Sequence, residues 1–248
     1  MSKPTAVFFT DGSDVGVQCA RILAQHPVTI IAGVVSRLDD ACMVLSAFPS
    51  APLLYTGSHP ETDARLMDAM GEGVDFLFSC WYDRRVPSEL LSRVRKAAVN
   101  LHPAYLPWNR GRHSAFWGIL DGTPLGATIH HMDEGLDTGD IIAQEVLEDD
   151  GVMSAQEVYL RQSALCVKLF REWLPAILDG SAPRRPQGQG TYHHAGEIRE
   201  ATRFDDLRTV TMGQLVRLAR ATSFGEHGFH VRLADGRLVK VKARVELA

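Results

Sequence analysis

The chain has 248 residues, of which 45% are hydrophobic and 23% are charged, and its formal net charge is −4 at pH 7. This length suits one large domain, or one domain with a small appendage, and the composition is that of an ordinary globular protein. The negative charge gives no reason to expect binding to nucleic acid or to an anionic membrane, and no apolar stretch is long enough to span a bilayer.

The first hundred residues alternate short apolar runs with amphipathic segments. We predict strands at 6–10, 29–35, 53–55, 76–79 and 97–101, and helices at about 15–24, 40–47, 61–70 and 88–96. Such alternation predicts a parallel sheet with helices on both faces. Sheets of this kind bind ligands at the carboxyl ends of their strands, so we expect a functional site there.

The chain after residue 140 predicts a strand, a long helix, a linker and a small extension. Ile141–Val146 has strand character, and the capping box from Ser154 to Glu157 opens a helix to about Leu178. The stretch at 183–190 is rich in proline, glycine and arginine and has the composition of a linker. We therefore predict a main domain at 1–182, a linker at 183–190 and a C-terminal extension at 191–248.

The extension is predicted to contain a helix near Met212–Ala221 and a β-hairpin. The hairpin runs from 229 to 233, turns at Asp235-Gly236 and returns from 238 to 247. On the return strand, basic residues at 240, 242 and 244 alternate with apolar ones. We interpret them as the charged face of an edge strand, which discourages aggregation, in preference to a phosphate-binding stripe.

The four cysteines are widely spaced and lie mainly in apolar surroundings. They are Cys19, Cys42, Cys80 and Cys166. We expect buried free thiols and neither a disulfide framework nor a zinc site. The first apolar run is too short for the core of a signal peptide, so we expect a cytoplasmic protein.

Asn100 and His102 alternate with apolar residues at the end of a predicted strand, immediately before Pro103. Period-two alternation places the amide and the imidazole on the same face. An amide NH2 and a protonated imidazole can both donate to a carbonyl oxygen as it becomes an oxyanion. The alternative is that the two side chains only tie down a turn.

An acidic turn, Asp133 to Asp137, follows a strand that ends with His130 and His131. Asp137 is suited to orient His102 and to relay a proton, since a nearby carboxylate favours the protonated imidazole. Neighbouring residues of a strand point to opposite faces, so we expect one of the two strand histidines to support the site and the other to be structural.

Two other kinds of site are less well supported. No pair of histidines has the helical spacing His-Glu-x-x-His, so we expect no metal. The loop after the first strand stands where an anion could bind a helix N-terminus. It lacks a full G-x-G-x-x-G pattern, and Asp11 and Asp14 would repel phosphate, but Gly12 and Ser13 could line a substrate pocket.

Several motifs of the central segment agree in order and spacing with one family. They are Asn100–Pro107, Arg110-Gly111 and Asp133–Gly139. These motifs resemble the signature of the 10-formyltetrahydrofolate-dependent formyltransferases, over roughly residues 1–180, and above all the nucleotide-aminosugar N-formyltransferases. The resemblance implies an α/β, Rossmann-like catalytic domain with a mostly parallel sheet, followed by a small α+β extension.

The resemblance also implies roles for individual residues. Asn100, His102 and Asp137 fall on the catalytic triad of the family, and His130 falls on its inward-facing strand histidine, behind the catalytic residues. The pterin of the folate would contact two segments, one before the catalytic strand and one in the acidic turn: Tyr82, Asp83, Arg84, Arg85, Val86, Met132, Asp133 and Leu136. Arg84 and Arg85 depart from the apolar residues common there.

Two further similarities favour an amino-sugar acceptor. The loop from Arg110 to Trp117 is similar to that of sugar N-formyltransferases, and Gly190 to His193 resembles the start of their extensions. Arg112 and His113 would then touch sugar or phosphate, unless they belong only to a solvated basic loop. The extension is too small for the barrel domain of methionyl-tRNA formyltransferases.

We therefore expect formyl transfer from 10-formyltetrahydrofolate, without a metal, to a nucleotide-linked amino sugar used in surface glycans. A homodimer is a further expectation, and neither nucleic acid nor membrane is expected as a partner. Other acceptors are the alternatives: hydroxyornithine, glycinamide ribonucleotide or methionyl-tRNA. A folate- or sugar-nucleotide-binding module without turnover is the alternative outside catalysis.

Overall fold

The computed structural model describes residues 3–37, 41–56, 61–205, 209–225 and 227–247, without the side chains of 41, 42, 45 and 61–63. Its strands are β1 Thr5–Thr10, β2 Thr29–Val35, β3 Leu53–Tyr55, β4 Val74–Cys80, β5 Val94–His102, β6 Arg110–Gly111, β7 Leu125–His131, β8 Ile141–Leu147, β9 Tyr192–His193, β10 Arg203–Asp205, β11 Phe229–Arg232 and β12 Leu238–Val241. Its helices are α1 Asp14–Leu23, α2 Ala41–Ala47, α3 Glu61–Met70, α4 Ser88–Leu91, α5 Ser114–Asp121, α6 Ala155–Asp179, α7 Glu197–Ala201 and α8 Met212–Ala221. None of these helices is long and apolar enough to cross a membrane.

In the part of the chain that the structure describes, the main sheet has seven strands in the order β3-β2-β1-β4-β5-β7-β8. Strands β1 to β5 pair in parallel, and β7 pairs antiparallel to β5. Burial on both faces explains why these strands are continuous apolar runs in the sequence. The prediction of a mostly parallel sheet within an α/β fold is confirmed. A smaller sheet near the C-terminus has the order β10-β11-β12, which leaves β12 at an edge.

Two predicted elements have different bounds in the structure. The helix predicted at 88–96 is wrong beyond Leu91, because Ser92 N–H closes the last turn on Ser88 O at 2.9 Å and Val94 already pairs with Val74. The return strand of the hairpin ends at Val241, six residues before the predicted end, because Phe229 is the last residue of β11 with which it pairs. Of the predicted helix at 40–47, Asp40 lies outside the described residues.

The contacts divide the chain into two units, and the first comprises residues 1–102, 128–143 and 166–187. Its apolar core is formed by strands β1, β2 and β4 with α3 and the segment after β4. The buried members are Val7, Phe9, Ala32, Val34, Leu66, Met70, Val74, Leu77, Val86 and Leu90. Tyr82 and Met132 are partly buried against this core. This packed core therefore fixes the positions of the parallel strands, and with them the carboxyl ends where a site is expected.

The second unit comprises residues 103–127, 144–165 and 188–248. Its core joins α5, the beginning of α6 and α8. The buried members are Ala115, Phe116, Trp117, Ile119, Leu125, Met153, Ala155, Val158 and Ala221. The division of the chain into a main domain, a linker at 183–190 and an extension stays a prediction.

The capping box predicted at the start of the long helix is present. Glu157 N–H donates to Ser154 Oγ at 3.2 Å, and Ser154 N–H donates to the Glu157 carboxylate at 2.8 Å. These bonds satisfy two backbone donors that the first turn of α6 leaves without intrahelical partners. The Ser154 N–H and the Ser154 hydroxyl, which both donate to the Glu157 carboxylate, lower the pKa of Glu157.

The described thiols of Cys19, Cys80 and Cys166 are free and buried, as predicted. Burial raises the pKa of Cys80 and Cys166 well above the usual range, so both stay protonated at neutral pH. The side chain of Cys42 lies outside the described residues.

A buried arginine ties α8 to the segment before α6 in the second unit. Arg220, 5% exposed, pairs with Asp149 and donates from Nε to Met153 O at 2.9 Å. We expect Arg220→Met to lower the free energy of unfolding by roughly 1–3 kcal/mol, because the carbonyl loses its buried donor. Urea unfolding measures the change, and Arg161→Met, an exposed position on α6, serves as the matched control. Equal stability of the two variants would contradict a stabilising role for the buried contacts of Arg220.

Candidate active site

Four polar side chains of the first unit meet at the end of β5. Asn100 Nδ2 lies 3.1 Å from His130 Nε2 and 3.3 Å from Asp137 Oδ1. His102 Nδ1 lies 3.6 Å from Asp137 Oδ2, and His130 Nε2 lies 3.7 Å from Asp137 Oδ1. The structure thus places one carboxylate within reach of an amide and two imidazoles.

The pairing of β5 with β7 explains this meeting. Asn100 and His102 point to one face because they are two residues apart on a strand. In the antiparallel ladder Asn100 lies opposite His130, and His102 lies opposite Thr128. Directly opposed residues of neighbouring strands have side chains on the same face. His130 therefore faces Asn100, and His131 must point away from it.

The acidic turn after β7 brings Asp137 back to the end of β5. Asp133 Oδ1 accepts from Gly135 N–H at 3.0 Å and from Thr138 Oγ1 at 2.6 Å, which folds the turn. Asp137 has a φ of 56°, in the left-handed region. A residue other than glycine persists there only where its surroundings hold it, and such residues cluster at functional sites.

Gln187 holds the other side of the same turn and was not found by the sequence reasoning. Its Nε2 donates to the backbone oxygens of Asp137 at 2.9 Å and Gly139 at 2.7 Å. It lies 50 residues after Asp137 along the chain. Because it stands in a stretch of linker composition, no local pattern could have marked it.

The contacts of His130 assign its hydrogen. His130 Nδ1 lies 2.7 Å from the backbone oxygen of His131. A carbonyl oxygen only accepts, so Nδ1 carries the hydrogen and Nε2 of the neutral ring is an acceptor. The Asn100 amide then donates to His130 Nε2 and to the Asp137 carboxylate, which orients its NH2 group toward both.

The site is largely shielded from water. The side chains of His102, His130 and Asp137 are 6%, 2% and 9% exposed. Low local polarity strengthens hydrogen bonds and charge interactions between such groups. Two donors beside a carboxylate can stabilise an oxyanion and move a proton. No group of three His, Cys, Asp or Glu side chains that could hold a metal ion is found among the described residues.

The predicted folate-binding segments are joined by an arginine. Arg85 donates from Nη2 to Glu134 O at 2.6 Å, which ties the segment after β4 to the acidic turn. Arg84 donates from Nη1 to Thr56 O at 3.3 Å, beyond the end of β3. Tyr82 and Met132 pack on the apolar core of the first unit, whereas Leu136 is 40% exposed.

Gly12 and Ser13 lie between β1 and α1 in the first unit. Gly12 N–H donates to Thr10 Oγ1 at 3.2 Å, and Ser13 N–H donates to Asp11 Oδ1 at 2.8 Å. The Asp11 carboxylate also lies 3.9 Å from the Arg37 guanidinium. Both backbone donors of this loop are therefore engaged by side chains.

Arg112 and His113 lie in the second unit, between β6 and α5. Arg112 N–H donates to His193 O at 3.1 Å, and His113 precedes α5 with a φ of 61°. Desolvation, then the charge of Arg112 and of His227, lowers the pKa of His113. This imidazole is therefore neutral at pH 7 and can both donate and accept a hydrogen bond.

Comparison with known proteins identifies relatives of the chain. The family model described as formyl transferase matches residues 6–170. The chain is 32% identical over 178 residues to the dTDP-4-amino-4,6-dideoxyglucose formyltransferases of Mycobacterium bovis and Mycobacterium tuberculosis. The aligned part covers 71% of this chain and 75% of each relative.

Solved structures share the fold. A 4-N formyltransferase from Francisella tularensis matches with a TM-score of 0.84 and 23% identity over 100% of both chains. A formyltransferase from Anoxybacillus kamchatkensis matches with a TM-score of 0.59 and 25% identity, over 79% of this chain and 88% of that one. The latter was solved in complex with UDP-4,6-dideoxy-4-formamido-L-AltNAc and tetrahydrofolate.

Proposed function

Because the chain belongs to the formyl transferase family, we propose that it transfers the formyl group of 10-formyltetrahydrofolate to the amine of a nucleotide-linked amino sugar. The observation that carries this proposal is the meeting of Asn100, His102 and Asp137 at the end of β5. The names of the mycobacterial relatives and the ligands of the Anoxybacillus structure support the class of acceptor.

In the proposed reaction the nitrogen of the acceptor amine bonds to the formyl carbon, and the bond from that carbon to N10 of the folate breaks. Protonated His102 donates to the formyl oxygen while that oxygen carries negative charge. Asn100 becomes the second donor by turning toward the same oxygen the amide hydrogen that it gives to Asp137 in the structure. The amine loses one proton and N10 gains one. No covalent enzyme intermediate is needed, in agreement with the lack of a Ser or Cys nucleophile motif in the sequence.

Asp137 has two roles in this proposal. Its Oδ2 faces His102 Nδ1 at 3.6 Å, where it orients the imidazole and stabilises its positive charge. It also passes the proton of the amine onward through water. The burial of the carboxylate supports both roles, since a shielded charge interacts more strongly with its neighbours.

The proposed folate site combines apolar and backbone groups of the first unit. Tyr82, Met132 and Leu136 offer apolar surface, and the acidic turn offers backbone donors and acceptors. Val86, the fourth apolar residue of the proposed set, is 4% exposed and belongs to the buried core. This set suits a flat, polar-edged pterin, since rings pack on apolar side chains while their edges bond to the backbone. Asp83, Arg84, Arg85 and Asp133 complete the proposed contacts, and Arg85 keeps the two segments together.

In the first unit, Gly12 and Ser13 are proposed to line a pocket for the acceptor. In the second unit, Arg112 and His113 are proposed to touch sugar or phosphate. Arginine is suited to a phosphate because its fork of donors matches phosphate oxygens. A neutral His113 can serve a sugar hydroxyl as donor or acceptor.

Formyl transfer to a panel of amino sugars linked to UDP, dTDP, GDP or CMP tests this function. The purified protein is mixed with 10-formyltetrahydrofolate and each acceptor, and tetrahydrofolate release and the mass of the sugar nucleotide are followed. We expect formylation of at least one member at its free amine. Formylation of only hydroxyornithine, glycinamide ribonucleotide or methionyl-tRNA would overturn the proposed acceptor class. Folate binding without transfer to any acceptor would overturn the proposal that the protein is an enzyme.

His130 is proposed to set the direction of the Asn100 amide during this reaction. We expect His130→Phe to lower kcat by up to roughly 10²-fold, the scale of a misplaced catalytic group, with both KM values little changed. His130→Gln should restore part of kcat, because its amide oxygen can accept from Asn100.

The control for His130 is its neighbour on the opposite face of β7. His131 is buried, and its Nε2 makes no hydrogen bond to the described residues, so His131→Phe should keep kcat. A similar loss of kcat in both variants would show that disturbed packing, and not the Asn100 contact, is responsible.

We infer that the N-formylated product enters surface glycans, and that the enzyme works in the cytoplasm as a homodimer. Folates and sugar nucleotides as substrates support the compartment. Two apolar side chains on α8 are exposed, Met212 by 73% and Val216 by 37%, and a second subunit that packs on them would remove them from water. Light scattering after gel filtration measures the assembly, and a monomeric mass at all concentrations would contradict the dimer.

A further inference from the structure

A segment near the C-terminus holds the basic loop in place within the second unit. We call residues 188–193 the C-terminal strap and residues 109–113 the basic loop. In the parallel pair of β6 and β9, Arg110 lies opposite Tyr192 and Gly111 opposite His193. Arg110 N–H donates to Thr191 O at 3.0 Å, and Arg112 N–H donates to His193 O at 3.1 Å. The strap thus supplies the backbone partners of the loop.

The basic loop needs this support because its backbone is unusual. Asn109, Gly111 and His113 have φ values of 58°, 92° and 61°. Two of them are not glycine, and such residues keep a left-handed conformation only where neighbouring groups hold it. Asn109 N–H donates to Thr191 Oγ1 at 2.8 Å, so the strap holds one of these residues directly.

Close approach of the strap also explains the glycine of the loop. A Cβ at Gly111 would lie 2.3 Å from His193 O, inside the distance that two such atoms can share. The pair therefore packs backbone against backbone at this point, and only glycine leaves room for this approach.

His193 fastens the strap to the helix that follows the basic loop. Its ring stacks on Trp117 with centroids 4.0 Å apart and planes 7° apart. Its Nε2 lies 3.2 Å from Asp121 Oδ2, and its Nδ1 lies 3.3 Å from Glu197 Oε2. Trp117 and Asp121 are one turn apart on α5, so the imidazole contacts two neighbouring positions of this helix, by stacking on Trp117 and by charge proximity to Asp121.

We propose that His193 is a positioning residue for the acceptor, acting through the basic loop. By fastening the strap to α5 it holds Arg112 and His113 in the geometry that binds the nucleotide-linked amino sugar. The proposal rests on the proposed function, and it adds a determinant of acceptor binding beyond residues 6–170, where the family model ends.

Steady-state kinetics on His193→Ala test the proposal with the acceptor that wild type formylates. We expect KM for the acceptor to rise by about tenfold, the effect of one lost well-placed contact, with kcat within about twofold and KM for 10-formyltetrahydrofolate unchanged. His193→Phe, which keeps the ring on Trp117 and loses both carboxylate contacts, should fall between. His194→Ala removes a neighbouring exposed imidazole and should behave as wild type.

A second measurement separates positioning from general loss of structure. In His193→Ala, hydrogen exchange should quicken at the amides of Arg110 and Arg112 while the strands of the main sheet stay protected. If His193→Ala does not fold, the double variant Asp121→Asn with Glu197→Gln keeps the ring on Trp117 and removes the two carboxylates, so its acceptor KM should rise by the smaller amount expected of His193→Phe.

The outcomes distinguish this inference from the proposed function. If wild type formylates a nucleotide-linked amino sugar and the His193 variants keep its KM, the positioning role is wrong and the function stands. If wild type formylates no member of the panel, the function fails and the positioning role fails with it. A rise in acceptor KM together with faster loop exchange supports both.

Discussion

Replacing Asp137 by Asn will lower kcat for formyl transfer by roughly 10²–10⁴-fold, the range for losing a group that handles a proton in the transition state. The carboxylate faces His102 at 3.6 Å and accepts from the Asn100 amide at 3.3 Å. A neutral amide cannot stabilise the imidazolium and cannot carry the proton of the amine. Single-turnover kinetics with saturating folate and acceptor measure the loss at the chemical step.

Asparagine is the suitable replacement because it preserves the turn. Asp137 has a φ of 56°, and asparagine tolerates the left-handed region better than alanine does. The thermal midpoint should therefore stay close to that of wild type. Asp140→Asn is the matched control, since this carboxylate belongs to the same acidic segment and pairs with Arg184 at 3.2 Å. Turnover of the Asp137 variant near the wild-type value would remove Asp137 from the mechanism.

Much of the fold could be predicted because its elements obey local rules. The helices Glu61–Met70 and Met212–Ala221 have the predicted bounds, since each shows a regular helical period between clear ends. The two-residue strands β6 and β9 could not be predicted, because two residues have no period. They form only through the pairing of segments about 80 residues apart.

In the site, too, local sequence patterns predict some side-chain positions but not those that depend on distant segments. Alternation along β5 places Asn100 and His102 on one face, which the sequence shows directly. Alternation along β7 says only that His130 and His131 point apart, and the register against β5 decides that His130 meets Asn100. Gln187 approaches the acidic turn from a distant segment, so only the folded chain brings it there.

Replacing Gly139 by Ala will disturb both stability and catalysis, because the acidic turn closes on β7 at this residue. A Cβ there would lie 2.0 Å from His131 O and 2.8 Å from the carbon of the same carbonyl. Both atoms belong to the backbone of a buried strand, so they cannot move aside as a flexible side chain can. We expect the free energy of unfolding to fall by about 1–3 kcal/mol, as for other overpacked sites.

The catalytic effect follows from what the turn carries. If Gly139 moves away from β7, the Gln187 contacts shift and Asp137 leaves its position, so kcat should fall by up to roughly 10²-fold in the fraction that folds. Gly213→Ala is the matched control, because no atom lies within 4 Å of its Cβ position and alanine favours a helix such as α8. Urea unfolding and kcat are measured on both variants. If Gly139→Ala keeps the wild-type stability and kcat, the turn can hold Asp137 in place without its close contact to β7. If kcat falls while stability is unchanged, the effect lies on Asp137 alone.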